Sequence, residues 1–81
     1  MNRHVVRLFA RYAELLGSEQ VEVMLPAESR VSDLVAALRN LPGGASLPAQ
    51  PFVAVNMAQA AMNAVLNPAD EVAVLPPLAG G

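Results

Sequence analysis

The sequence predicts an α+β domain in which one main helix packs across a mixed four- or five-stranded sheet. Two patterns carry that prediction. Val31, Leu34, Val35, Leu38 and Leu41 recur at helical spacing and form one apolar stripe. Val21, Val23 and Leu25 alternate with Gln20, Glu22 and Met24, which is the period of a half-buried strand. Length supplies the third observation. The chain has 81 residues, enough for one domain with a modest core.

The elements follow in order. His4–Ala10 contains Val5, Val6, Leu8 and Phe9 and suits a strand, with Val6 and Leu8 on one face and Val5 and Phe9 on the other. Substantial residues on both faces predict a central strand covered on more than one side. Ala10–Leu16 is rich in helix formers, and Gly17 supplies a C-cap, so one or two turns of helix are expected. Gln20–Leu25 is the second strand, ended by Pro26, and pairs with the first as an antiparallel hairpin. The main helix spans Val31–Leu41, with Ser29 or Ser32 as its cap and Asp33 and Arg39 placed as the helix dipole prefers. Pro42-Gly43-Gly44 stops it, and Ala45–Pro51 is a loop.

Phe52–Val55 reads as a short strand, and Asn56 starts a turn or brief edge segment. Met57–Leu66 is ambiguous: its alanines favour helix while its pattern is irregular. Asn67-Pro68-Ala69-Asp70 is a turn with an acceptor first and proline second. Glu71–Leu75 is the last strand. Pro76-Pro77 ends its ladder because neither residue has an N–H. Residues 1–75 are thus the domain and residues 76–81 an extended tail ending in Gly80-Gly81.

Composition narrows the function. There is no cysteine, which excludes a disulfide framework, a thiolate metal site and a cysteine nucleophile. Hydrophobic residues make up 54% and charged residues 15% of the chain, an apolar excess that predicts an exposed apolar face used for binding. The five basic residues, Arg3, Arg7, Arg11, Arg30 and Arg39, form no dense run, the net charge is −2 and aromatics are scarce, so no nucleic-acid platform is expected. No apolar run reaches the ~20 residues of a membrane span, and none near the start reads as a signal segment; a cytoplasmic protein is expected.

Individual residues offer little catalysis. His4, the single histidine, lacks a ligand cluster and reads as solvent-exposed or at a strand edge, with no metal site. Asp70-Glu71 has no accompanying nucleophile and reads as a turn entering a strand. Tyr12 and Phe9 suit core or interface packing. Arg11 and Arg39 either meet a partner carboxylate or lie on a solvated face. Phe52, Met57 and Met62 either form part of an apolar docking face or fill the core. Phe9, Arg11, Phe52, Met57, Met62 and Leu75 are accordingly the candidate docking residues. Gly43-Gly44 reads as a helix stop and nothing more, because no lysine-bearing phosphate loop surrounds it. What remains is the tail: a slim arm, with no side chain at its tip, suited to enter a narrow tunnel and present a carboxylate.

Three segments extend this reading. Val6-Arg7-Leu8-Phe9-Ala10-Arg11-Tyr12-Ala13-Glu14-Leu15-Leu16-Gly17, Phe52-Val53-Ala54-Val55-Asn56, and Asp70-Glu71-Val72-Ala73-Val74-Leu75-Pro76-Pro77-Leu78-Ala79-Gly80-Gly81 resemble the molybdopterin synthase small subunit family, over essentially the whole chain. The resemblance implies a ubiquitin-like β-grasp fold and a sulfur carrier. It implies that an adenylating enzyme joins AMP to the carboxylate of Gly81, using ATP and Mg²⁺ that this chain does not itself bind. A sulfur donor enzyme then leaves a thiocarboxylate, and the large synthase subunit takes the tail and transfers sulfur to a pterin precursor, twice, to build a dithiolene. Gly80 carries over as the residue that lets the tail thread its partners, and Leu75–Ala79, with Pro76, Pro77 and Leu78, as the neck. A heterotetramer with two large subunits is implied.

The chemistry is independent of the family. A carboxylate is a poor acyl donor and an acyl phosphate a good one, so the domain is expected to act as cosubstrate while partners supply the catalytic groups. Alternatives are a carrier for tRNA thiolation or thiamin thiazole synthesis, a ubiquitin-like tag for target lysines, and a β-grasp interaction module with an inert tail.

Overall fold

The computed structural model describes residues 1–77. Strand β1 spans Asn2–Leu8, helix α1 Arg11–Leu16, strand β2 Gln20–Leu25, helix α2 Val31–Arg39, strand β3 Phe52–Val55, strand β4 Ala58–Gln59 and strand β5 Val72–Leu75. A single 3-10 turn, Gly44–Ser46, follows α2. The five strands form one sheet in the order β2-β1-β5-β3-β4. β1 runs parallel to β5 and antiparallel to β2, and β3 is antiparallel to both β4 and β5. This is the β-grasp arrangement that the resemblance implies.

The pleat sorts the side chains. Val6 stands opposite Val72, and Val72 opposite Val55; in the adjacent core row Leu8, Val74 and Val53 align. These residues point to one face, where Leu34, Val35 and Leu38 of α2 close over them. Leu34 and Leu38 have no exposed surface. The helical stripe therefore does what its period predicts. Leu41 lies beyond α2 and is half-buried against the same cluster.

β1 begins and ends two residues earlier than the apolar run suggests. Ala10 takes φ 53°, and the Tyr12 N–H donates to the Phe9 carbonyl at 3.1 Å, so the chain turns into α1 directly after the strand. α1 ends at Gly17, which adopts φ 74° and donates to the Glu14 carbonyl. β1 is central, between β2 and β5, but only one of its faces is covered. The expectation of cover on both sides fails because Phe9 falls outside the strand and, among the described residues, no element packs on the second face.

Neither serine caps α2. Arg30 occupies the cap position in extended conformation, and its backbone N–H donates to Asp33 Oδ2 at 2.8 Å. Ser29 Oγ instead donates to the Pro26 carbonyl at 2.7 Å. The next two helical N–H groups, of Val31 and Ser32, donate to the carbonyls of Ala64 and Met62 at 2.9 and 2.8 Å. This explains why the alanine-rich stretch 57–66 is not helical. It is β4, a turn and an isolated bridge between Arg30 and Val65, and its carbonyls satisfy the helix start. Arg30 Nη1 adds a bond to the Asn63 carbonyl at 2.7 Å.

Two further expectations are corrected. His4 is buried, not exposed, because it shares the core-facing side of β1 with Val6 and Leu8; its Nδ1 has no hydrogen-bond partner among the described residues. Gly43-Gly44 is more than a stop. Gly43 adopts φ 84°, and a Cβ there would collide with the Leu15 carbonyl of α1. A Cβ on Gly44 would collide with the Leu38 carbonyl of α2. The two glycines let the chain pass between the ends of both helices.

Candidate functional site

The uncovered face of the sheet is continuous with Pro76-Pro77, the last described residues. On β5, Val72 and Val74 point into the core, so Ala73 and Leu75 point to the open face. Register places Arg7 and Ala54 on either side of Ala73, and Phe52 beside Leu75. Phe52 is 46% exposed and Phe9 40%. The Arg7 guanidinium lies over the Phe9 ring, 5.9 Å from its centroid, a cation–π contact that leaves the edge of the ring available. Arg7, Phe9, Ala54, Met57, Glu71 and Ala73 border a cleft of about 300 Å³.

The tail foot is flanked on both sides. Phe52, Leu75, Pro76 and Pro77 line an apolar cleft of about 200 Å³. Arg11, Tyr12, Leu15, Ser46 and Pro48 line a second cleft, of mixed polar and apolar character and about 560 Å³, with the same two prolines. The chain thus leaves the sheet at the end of a central strand, between clefts, with two residues that cannot extend the ladder. Leu78, Ala79, Gly80 and Gly81 lie outside the described residues.

The structure therefore brings together Phe9, Phe52, Met57 and Leu75 on one face, with Arg11 beside the prolines. It separates Met62, which is half-buried against the core near the start of α2. Tyr12 is a core residue, 4% exposed. Arg39 lies on the solvated face of α2, and its Nε donates to the Leu47 carbonyl at 3.0 Å, tying α2 to the following loop. Arg7, Ala54, Ala73 and Met24 join the open face although the sequence reading did not single them out. Met24 was signalled by its place opposite Val23 and Leu25 in the β2 alternation; the others become neighbours only through β1–β5 and β3–β5 pairing.

At the opposite end of β5 a polar brace holds the sheet. Asn56 Nδ2 donates to Asp70 Oδ1 at 3.0 Å, and Asn56 Oδ1 accepts from the Glu71 N–H at 2.9 Å. The Asn67 N–H donates to Asp70 Oδ2 at 2.8 Å, and the Asp70 N–H donates back to the Asn67 carbonyl, closing the predicted turn. These donors, the Asn67 N–H first and the Asn56 amide second, hold the Asp70 carboxyl below its ordinary range. Asp70-Glu71 is thus a turn entering a strand, as its sequence implies.

A five-stranded β-grasp sheet with an open apolar face and a proline neck defines a ubiquitin-like domain. The chain belongs to the ThiS family, whose model matches residues 6–81; these are ubiquitin-like sulfur carriers. Its structure is similar to that of SAMP1 from Haloferax volcanii, with a TM-score of 0.83, 28% identity, and coverage of 99% of this chain and 100% of that one. It is also similar to a Pyrococcus furiosus protein assigned as molybdopterin converting factor subunit 1, with a TM-score of 0.82, 26% identity, and coverage of 96% and 100%. The fold recurs in a complex of subunits 1 and 2 of molybdopterin-converting factor from Helicobacter pylori, where the TM-score is 0.69, identity 22% and coverage 98% and 99%. No helix among the described residues is long and apolar enough to cross a membrane.

Proposed function

We propose that this domain is the sulfur carrier subunit of a molybdopterin synthase. The observation that carries the reading is the tail foot: Pro76-Pro77 leaves central strand β5 beside an open apolar face, so one partner reaches both. In this reading the Gly81 carboxylate attacks the α-phosphorus of ATP on an adenylating enzyme, with loss of pyrophosphate. Hydrosulfide delivered by the sulfur donor then attacks the acyl carbon, displaces AMP and leaves the thiocarboxylate, its proton passing to solvent. Gly80 and the neck Pro76–Ala79 thread the tail. Phe9, Phe52 and Leu75 dock the partner, and Arg11 pairs with a carboxylate at the neck. ATP and Mg²⁺ stay with the adenylating protein. The large subunit then takes the loaded tail, and two carriers on a dimer of large subunits make a heterotetramer. The likeness to the Pyrococcus furiosus protein and the closing run Asp70–Gly81 support this destination.

One observation favours a second reading. The Haloferax volcanii protein is described as a small archaeal modifier protein, so attachment of the tail to lysines of other proteins is the competing destination. Incubation with an adenylating enzyme of the family, ATP, Mg²⁺ and a sulfur donor, followed by intact-mass analysis, tests the carrier chemistry. Replacement of one oxygen by sulfur at the C-terminus is expected. No change, where a known carrier is converted, would overturn it. Transfer to a large subunit and precursor, against isopeptide formation on a lysine, then separates the destinations.

A further inference from the structure

The turn joining β3 to β4 contains two residues, Asn56 and Met57, at φ 53° and 69°. Positive φ at both central positions is the geometry of the tightest hairpins, whose low-strain sequence is Asn-Gly. Asn56 fits. Met57 carries a Cβ into a conformation where glycine is preferred, and it is 92% exposed, so contacts within the domain do little to offset the strain. The turn is nevertheless held firmly. Asn56 bonds Asp70 and Glu71 through its side chain, and its N–H donates to the Glu71 carbonyl at 2.8 Å. A strained, exposed, unbranched apolar side chain thus stands on a braced support, at the rim of the cleft that contains Phe9 and Arg7.

The geometry points to Met57 as a pre-positioned anchor that enters an apolar pocket with a basic rim on the adenylating enzyme. This rests on the carrier reading. Activation is common to every destination of the tail, so the activating protein is the partner all of them share. β5 links the two contacts: its start adjoins the braced turn and its end becomes the neck, roughly 13 Å away for four residues. A protein seated on the tail and the open face therefore reaches Met57 at the far end. Asp70 and Glu71 stand at the foot of the turn and share a cleft with Arg7, whose guanidinium lies over Phe9 and makes no ion pair with either carboxylate among the described residues. A basic rim complements those carboxylates and suits a protein that handles ATP phosphates. The thioether adapts to such a pocket at little cost in shape.

The test is calorimetric binding of the full chain and its variants to a purified adenylating enzyme with ATP and Mg²⁺. Met57→Leu should bind within about 3-fold of the parent, and Met57→Asn and Met57→Gly about 10-fold or more weakly. The last two should melt at the same temperature or higher, because both residues accept positive φ. Glu71→Arg should also weaken binding. Parent-like affinity in Met57→Asn and Met57→Gly overturns the anchor, and parent-like affinity in Glu71→Arg overturns the basic rim. A parallel intact-mass assay at saturating enzyme keeps the two readings apart. If the parent is converted to thiocarboxylate while Met57→Asn binds equally well, only the anchor falls. If the parent is never converted under conditions that load a known carrier, the carrier reading itself falls.

Discussion

The two faces of the sheet use similar residues to opposite ends. On the covered face, Val6, Leu8, Val53, Val72 and Val74 meet α2 and lose nearly all their exposure. On the open face, Phe9, Met24, Phe52 and Met57 stay at 40% exposure or more. Both sets are apolar, and neither composition nor propensity separates them. Each fully buried side chain on the first face contributes about 1.5–3 kcal/mol to folding. The second face contributes little to the isolated domain and leaves its apolar area accessible, as the proposed docking role requires. An apolar face left open is costly for a protein alone and reasonable for one that works by docking.

Breaking the covered face should have the largest effect. Leu38→Asp buries an unpaired charge in the last turn of α2 and should cost about 4 kcal/mol or more, enough to unfold much of a domain this size; denaturant titration followed by circular dichroism measures it. Gly44→Ala comes next, at about 2–4 kcal/mol. Its new Cβ meets backbone at the Leu38 carbonyl, not the movable end of a side chain. A melting midpoint equal to the parent's would show that the loop shifts freely and that Gly44 is only a helix stop.

Phe52→Asp sharpens the contrast from the other side. It should change stability by less than about 1 kcal/mol while removing partner binding, because the ring packs on the open face only. A loss comparable to that of Leu38→Asp would mean the open face also holds the fold. His4→Leu should raise stability by up to about 1 kcal/mol, since it replaces a buried imidazole with an unpartnered Nδ1 by an apolar side chain of similar size. A marked loss would show that the imidazole makes a needed bond.

The smallest effect belongs to Asp70. Its carboxyl is held below the ordinary range, so the folded state binds that proton less readily than the unfolded chain. The stability it contributes is present above about pH 4 and is lost as pH falls through the lowered folded value. Asp70→Asn should flatten that acid limb in melts between neutral and strongly acid pH, with little change at neutrality. An unaltered limb would place the acid sensitivity elsewhere.

The legible parts of the sequence were those governed by neighbours in the chain. α2 was readable because its stripe repeats at 3.6 residues, β2 because its alternation is strict, and Gly17 because a helix end needs positive φ. The Asn67–Asp70 turn was readable for the same local reason. Long-range partners hid the rest. Stretch 57–66 looked helical by composition, but its carbonyls were taken by α2, some thirty residues earlier in the chain. His4 looked like a terminal polar residue until the parity of β1 placed it beside Val6. Gly43-Gly44 looked like punctuation until two helix ends closed around it.

By itself, then, the sequence determined the class of fold, the buried stripe of α2, the two faces of β2 and the point where Pro76-Pro77 ends the last ladder, because period, parity and the missing N–H of proline act within a few residues. Met24 apart, tertiary structure decided which apolar residues stay uncovered. Arg7, Ala54 and Ala73 meet only because β5 pairs with both β1 and β3, and Met57 stands apart only because Asn56 is bonded across to Asp70 and Glu71. Those pairings bring together residues fourteen or more positions apart, and no local pattern in the chain encodes them.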